Sequence, residues 1–239
     1  MNKPEIAILM AAGMGSRMRP ITSKQPKPLV KVNNIPIIET IIEGLRQIDI
    51  KEIYIVTGYL GEQFSYLTKK YNNITLIENR EYSYKNNISS IYAVNNILGT
   101  ANCFICEADL LVYDSSIFKR EYSHSQYMAR MMNEDTNDWS FRLNNDRIIK
   151  ITQGGCGVYN MVGISFWTKE DATRIRNATI AAYERPNHEQ LYWDEIVDLE
   201  LSNMYVGVQP VTEQQIVEID TVTELQALDS SYMDLTPYL

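Results

Sequence analysis

Residues 10–29 read Met10-Ala-Ala-Gly-Met-Gly-Ser-Arg-Met-Arg-Pro-Ile-Thr-Ser-Lys-Gln-Pro-Lys-Pro-Leu29, and this stretch decides the fold. The run that leads into it, Glu5 to Ala12, is short and apolar and breaks directly into Gly13 and Gly15. Such a run reads as a buried parallel strand feeding a glycine loop. Glycines let backbone N–H groups approach phosphate oxygens with no side chain in between. Ser16 adds a hydroxyl donor and Arg17 a planar fork suited to phosphate, while Lys27 is a point charge on a backbone stiffened by Pro26 and Pro28. A P-loop would end in Gly-Lys-Ser or Gly-Lys-Thr, which this loop lacks. A dinucleotide fingerprint needs a third glycine where Met18 stands. What remains is Gly-x-Gly-x-Arg with a distal Pro-Lys-Pro. Gly-x-Gly alone is a weak signal and reads better as a structural turn.

Outward from the loop, strands and helices alternate. Ile37, Ile38, Ile41, Ile42, Leu45 and Ile48 have the spacing of an amphipathic helix over 37–48. Strands are expected at 52–57, 74–77 and 102–106, with helices at 62–71 and 88–98. This alternation predicts right-handed βαβ units. Beyond about residue 125 strands dominate, at 127–132, 140–143, 148–152 and 158–167. Helices near 169–184 and 188–199, a strand near 205–210 and a helix near 221–230 complete the chain. With no low-complexity linker and no repeat, one domain with a mixed sheet is expected. Ligands then sit beyond the carboxyl ends of the parallel strands.

Composition narrows the function. The 239 residues are 45% hydrophobic and 22% charged, an ordinary globular balance. The net charge of −8 argues against a nucleic-acid partner, which needs a basic footprint. Residues 1–31 hold Lys3, Arg17, Arg19, Lys24, Lys27 and Lys31 against Glu5, a basic segment on an acidic body. That suggests a local site for a small polyanion, although a solvated basic face would look the same. No apolar run reaches the roughly 18 residues a spanning helix needs, so no membrane span is expected. Met1 to Glu5 has no basic and apolar leader, and three cysteines make no disulfide framework. A cytoplasmic setting fits. Cys103 and Cys106 fall on opposite faces of a strand, which opposes joint metal ligation. His124 and His188 lack zinc spacing, and no catalytic histidine is assigned.

Two acids end apolar strands. Asp109, in Cys106-Glu-Ala-Asp109, stands where a carboxylate would meet a phosphate loop and Mg²⁺, which takes one or two carboxylates plus phosphate oxygens. Asp220, in Val217-Glu-Ile-Asp220-Thr221, is either a second such acid or an N-cap of the last helix.

The run from Ala11 to Leu29 resembles the signature of nucleotidyltransferases that make NDP-sugars and CDP-alcohols, Leu-Ala-Ala-Gly-x-Gly-Ser-Arg-x-x-Pro-x-Thr followed by Pro-Lys-x-Leu. With Asn86-Asn87-Ile88-Ser89-Ser90-Ile91-Tyr92, Gly163 to Trp167 and Leu191-Tyr192-Trp193-Asp194, the chain is similar to bacterial CTP:phosphocholine cytidylyltransferases up to about residue 230. The likeness is loose over 111–160 apart from Asn137-Asp138-Trp139. The resemblance implies a three-layer Rossmann-like α/β nucleotidyltransferase fold with a mostly parallel mixed sheet. It divides one domain, 1–239, into a nucleotide-binding half (1–110) and an acceptor-binding half (111–239). It implies a nucleotide loop of Ala11, Ala12, Gly13, Gly15 and Ser16, with Asn87, Ser89 and Ser90 near the base. Arg17 and Lys27 become catalytic, and Asp109, favoured over Glu107, and Asp220 become Mg²⁺ ligands.

Transfer of CMP from CTP to phosphocholine is therefore expected. Trp139, Tyr192 and Asp194 are the candidates to hold the trimethylammonium, which donates no hydrogen bond and favours ring faces with a nearby carboxylate. Tyr192 and Trp193 are as readily core aromatics on residues alone. Three alternatives stay open: 2-aminoethylphosphonate or phosphoethanolamine, where a primary amine would favour carboxylates over rings; a sugar 1-phosphate, which would need polar hydroxyl partners; and a nucleotide-binding regulatory module without turnover.

Overall fold

The computed structural model describes residues 2–235; Met1 and residues 236–239, the outer ends of the expected domain, lie outside the described residues. Strand β1 (Ile6–Ala11) is apolar along its length and almost wholly buried, as an interior parallel strand must be. After the glycine loop, a hairpin of β2 (Lys31–Val32) and β3 (Ile35–Pro36) turns through Asn33 and Asn34, both with positive φ. Asparagine tolerates that conformation better than most residues. The hairpin delivers the chain into α1 (Ile37–Arg46), whose Ile37, Ile38, Ile41, Ile42 and Leu45 are buried as their spacing requires. Then follow β4 (Glu52–Thr57), α2 (Ser65–Lys70), β5 (Ile74–Glu78), α3 (Ile88–Ala93) and β6 (Cys103–Glu107). The second half holds β7 (Leu110–Val112), β8 (Ser125–Met132), β9 (Thr136–Asn144), β10 (Arg147–Gly155), β11 (Val158–Trp167), α4 (Lys169–Tyr183), α5 (Trp193–Glu200), β12 (Val206–Pro210), β13 (Ile216–Glu218) and α6 (Val222–Leu228).

Nine strands make one sheet, in the order β5-β4-β1-β6-β11-β8-β12-β10-β9, so both halves of the chain share it. The strands β5, β4, β1 and β6 are mutually parallel. From β11 onward the pairing is antiparallel, except where β12 lies parallel to β8. The parallel character expected of the sheet thus belongs to its first half, where helical crossovers join the strands. In the second half β9 and β10 form a hairpin, and β11 returns antiparallel to β6, β8 and β9.

The two faces carry separate apolar cores. Ala7, Leu9, Phe104 and Cys106 pack with Ile38, Ile41, Ile42 and Leu45 of α1. Ile6, Ile8, Cys103 and Ile105 pack with Ile91 of α3, Ile175 of α4 and Trp193 and Val197 of α5. Cys103 and Cys106 therefore do face opposite sides, and burial pushes both thiols up. A third cluster joins Met18, Val30, Val32 and Ile37 to Leu111, Ile219 and Leu225, seating α6 against the segment that follows the glycine loop.

Three helical segments differ from expectation. The first expected over 62–71 starts as a tight turn, Gly61–Phe64, before α2. The one expected over 88–98 is α-helical only to Ala93. The one expected over 188–199 begins at Trp193, because Leu191 and Tyr192 are extended. The extended Tyr192 matters for the site.

Candidate active site

The carboxyl ends of β1 and β6 bring the glycine loop beside Asp109. A short antiparallel pair, β13 with β7, brings in the far end of the chain: Glu218 sits opposite Leu110, and the Ile219 N–H donates to the Asp109 carbonyl at 3.2 Å. Asp109 and Asp220 thereby flank Lys27, whose Nζ donates to Asp109 Oδ2 at 2.7 Å and to Asp220 Oδ1 at 2.6 Å. Arg17 adds Nη2 to the same Asp220 oxygen at 2.8 Å and otherwise projects into solvent. Lys27 itself is 7% exposed. Gly15 sits behind it at φ 58°, and a Cβ there would stand 2.8 Å from the Lys27 Cβ. The loop is pinned by Thr22, whose hydroxyl donates to the Gly15 carbonyl at 2.8 Å.

Charge is crowded here. Carboxylate oxygens of Glu107, Asp109 and Glu218 lie within 4.8 Å of one another. Burial, then Asp109, Glu218 and Asp194, push the Glu107 carboxyl well above the usual carboxylate range. Glu218 opens onto the cleft, yet desolvation by its walls, then Asp109 and Asp220, push it up to about 8. Burial pulls the Lys27 ammonium down, but Asp109 and Asp220 together outweigh it and hold it above its ordinary value. Asp109 Oδ1 is buried without a hydrogen-bond partner. An all-oxygen donor set, carrying excess negative charge and one orphaned oxygen, fits a hard divalent cation such as Mg²⁺.

Two cavities meet at this cluster. One, about 250 Å³, is walled by Met10, Ala11, Gly13, Gly15, Ser16 and Lys27. The other, about 290 Å³, is walled by Trp139, Tyr192, Asp194, Asp138, Asn160 and Asn87. Arg17 and Asp220 stand in both walls, so they mark the junction. The second cavity opens where β11 bows away from β8: pairing passes from Met161 opposite Ala129 to Ser165 opposite Tyr127. Gly163 takes the bend at φ 76°, and a Cβ there would come within 3.1 Å of the Glu107 Cβ. Bulges of this kind re-aim side chains beside active sites.

The structure brings Trp139 and Tyr192 together edge to face, with ring centroids 5.5 Å apart. Asp194 joins them from the start of α5, but it is 2% exposed and accepts the Tyr127 hydroxyl at 2.8 Å. Burial pushes its carboxyl up to about 7 against the pull of the Tyr127 bond. Trp193 is core, as the bland alternative has it.

Of the residues expected near the base, two are buried and one lines the second cavity. Ser89 and Ser90 are buried, and the Asn79 amide donates to their hydroxyls at 2.9 and 3.2 Å. Asn87 lines the second cavity and not the first. Ala12 is buried, its carbonyl accepting from the Tyr59 N–H. Glu218 and Asp138 were given no role from sequence, and Glu107 was set aside in favour of Asp109. A signal for Glu107 and Glu218 exists: Glu107-Ala-Asp109 and Glu218-Ile-Asp220 repeat Glu-x-Asp at two strand ends, and period two carries both acids to one side.

Residues 7–137 match the model of the MobA-like NTP transferase domain. The chain belongs to this family. It is 45% identical over 230 residues to a 2-aminoethylphosphonate cytidylyltransferase of Lancefieldella rimae, covering 96% of this chain and 94% of that protein. It is 35% identical over 225 residues to a choline-phosphate cytidylyltransferase of Streptococcus pneumoniae, covering 93% and 96%. Its fold overlays a solved CTP:phosphocholine cytidylyltransferase from Streptococcus pneumoniae with a TM-score of 0.87 at 32% identity, covering 95% of this chain and 99% of the other. This member of the MobA-like family is a nucleotidyltransferase, and its activity is cytidylyl transfer. Similarity over almost the whole chain to cytidylyltransferases replaces the regulatory-module alternative with an enzyme. No helix among the described residues is long and apolar enough to cross a membrane.

Proposed function

We propose that the protein transfers CMP from CTP to 2-aminoethylphosphonate and releases pyrophosphate. The observation that carries this reading is the chemistry of the second cavity. Asp138, Asp194, Glu107 and Glu218 line it, and its two rings touch each other edge to face. With centroids 5.5 Å apart the rings form a corner and not two facing walls, so a cation would lie against them and not be enclosed between them. A primary ammonium, more strongly hydrated than a quaternary one, gains more from hydrogen bonds to carboxyl oxygens than from ring faces, and its charge would draw the raised carboxyls of Glu107, Glu218 and Asp194 toward ionisation. The 45% identity to a cytidylyltransferase of that acceptor supports the same choice. Phosphocholine is the second reading, favoured by the presence of both Trp139 and Tyr192 in the cavity.

CTP takes the glycine-loop cavity, with backbone N–H groups of Gly13, Gly15 and Ser16 toward the triphosphate. The acceptor lies in the second cavity, and its phosphonate reaches the junction at Arg17 and Asp220. A phosphonate oxygen attacks the α-phosphorus as the bond to the pyrophosphate oxygen breaks. The phosphonate is already anionic at neutral pH, so no general base is required. Arg17 and Lys27 hold the reacting groups in line and offset developing charge. Mg²⁺, when bound at Asp109 and Asp220 with Glu107 and Glu218 around it, supplies further neutralisation of the triphosphate.

Initial rates of pyrophosphate release from CTP, measured against 2-aminoethylphosphonate, phosphoethanolamine, phosphocholine and glucose 1-phosphate, test the reading. The phosphonate is expected to have the highest kcat/KM. A higher value for phosphocholine would replace this reading with the second one.

A further inference from the structure

We propose that Asn87 is a positioning residue for the acceptor cavity, acting by capping α5 from the other half of the chain. The inference rests on reading that cavity as the acceptor site. The first N–H groups of a helix have no partner within it. At the start of α5 the preceding residue is Tyr192, which has no short side-chain oxygen to serve as a cap. Asn87 Oδ1 fills the role from a distant segment, accepting the Trp193 N–H at 2.9 Å. The neighbouring Tyr192 N–H is taken by Glu195 Oε2 at 2.8 Å. Tyr192 and Asp194 flank Trp193, so two walls of the cavity are placed by where α5 begins. Asn87 belongs to the segment that leaves β5 in the nucleotide half, and it lines the same cavity.

The two segments are also fastened elsewhere. The Asn86 N–H donates to the Glu189 carbonyl at 2.8 Å, and the Asn86 amide to the Gln190 carbonyl at 3.3 Å. The Tyr183 hydroxyl donates to Glu81 at 3.0 Å, and the Lys85 ammonium lies 4.2 Å from the centre of the Tyr183 ring. Removing the Asn87 oxygen therefore leaves the segments attached and frees only the start of α5.

The test compares Asn87→Ala, Asn87→Asp, Tyr192→Ala and the Asn87→Ala/Tyr192→Ala double variant, with CTP affinity by calorimetry and acceptor KM and kcat by pyrophosphate release. Asn87→Ala should raise the acceptor KM about five- to tenfold, the scale of a lost helix cap, and leave CTP affinity within about twofold. Asn87→Asp keeps an acceptor for the Trp193 N–H and should restore the acceptor KM to within about threefold of wild type. In the Tyr192→Ala background, Asn87→Ala should add less than about twofold, because the ring it positions is gone. Weaker CTP binding with an unmoved acceptor KM would overturn the proposal, as would effects that multiply in full. Tyr192→Ala separates the two failures. An unchanged acceptor KM in Tyr192→Ala overturns the acceptor reading of the cavity; a raised one there with an unmoved one in Asn87→Ala overturns the positioning role alone.

Discussion

The Lys27 ammonium lies 2.6 Å from the Asp220 carboxylate, joining residues 193 positions apart in the chain. The contact depends on two remote pieces of packing. The third apolar cluster holds Val30 and Val32 against Ile219 and Leu225, and β13 holds its partner β7. One buried cation thus bridges both carboxylates at the junction of the two cavities, and its charge is available to any phosphate that enters.

Replacing that cation should damage chemistry more than binding. Lys27→Ala is expected to lower kcat on the order of 10²-fold or more, the scale of losing one preorganised electrostatic stabiliser. Steady-state kinetics check this, and a kcat within a few-fold of wild type would remove Lys27 from the transition state.

Lys27 also competes with a metal for the oxygens of Asp109 and Asp220. Calorimetric titration with Mg²⁺ in the absence of CTP should show tighter binding to Lys27→Met than to wild type, and weaker binding to Asp109→Asn. Asp109→Asn should also lose Mg²⁺-dependent turnover while circular dichroism shows an intact fold. Equal Mg²⁺ affinity in all three proteins would place the metal elsewhere.

Gly15 is the loop position where a side chain is least tolerable, since both its φ of 58° and the 2.8 Å approach to the Lys27 Cβ exclude one. Gly15→Ala should cost about 1–2 kcal/mol from the left-handed backbone alone, lowering Tm by roughly 2–8 °C. It should also lower kcat by displacing Lys27. An unchanged Tm in a thermal melt would mean that the loop relaxes freely.

Asp194 supplies a pH dependence. Burial raises its carboxyl to about 7, so the folded protein keeps a proton that the unfolded chain releases near pH 4. Stability from this group is complete below about pH 4 and is lost as pH rises to about 7, on the order of 4 kcal/mol in all. Tyr127, Glu195 and Glu107 are the titratable groups that act on it or feel it. Asp194→Asn keeps an oxygen for the Tyr127 hydroxyl and removes the titration. Its Tm should fall less steeply between pH 4 and 7 than that of wild type, and parallel curves would contradict the assignment.

Much of this was legible in residues 5–109. The run from Glu5 to Ala12 and the spacing of Ile37 to Leu45 follow from burial on one strand and one helix face, and period two put Cys103 and Cys106 on opposite sides. Lys27, Asp109 and Asp220 were singled out because a lone cation between prolines and acids at strand ends are local signals. Trp139 and Tyr192 were paired through resemblance, since only the sheet brings them together. The bonds of Ser89 and Ser90 to Asn79 were not legible, because a small polar side chain serves a buried neighbour as readily as a ligand. The short strands β7 and β13 carry too few residues to show a period. The bend at Gly163 depends on a register shift against β8 that no local pattern encodes. The start of α5 was set too early because its cap, Asn87, lies far away in sequence.

The most direct test of the central claim is a competition. Limiting CTP is incubated with the protein, Mg²⁺ and equal concentrations of 2-aminoethylphosphonate and phosphocholine, and the products are resolved by ³¹P NMR. The product ratio reads the ratio of kcat/KM values, with no need to saturate either acceptor. The cytidylyl phosphonate should dominate, with stoichiometric pyrophosphate. A product dominated by CDP-choline would contradict the account.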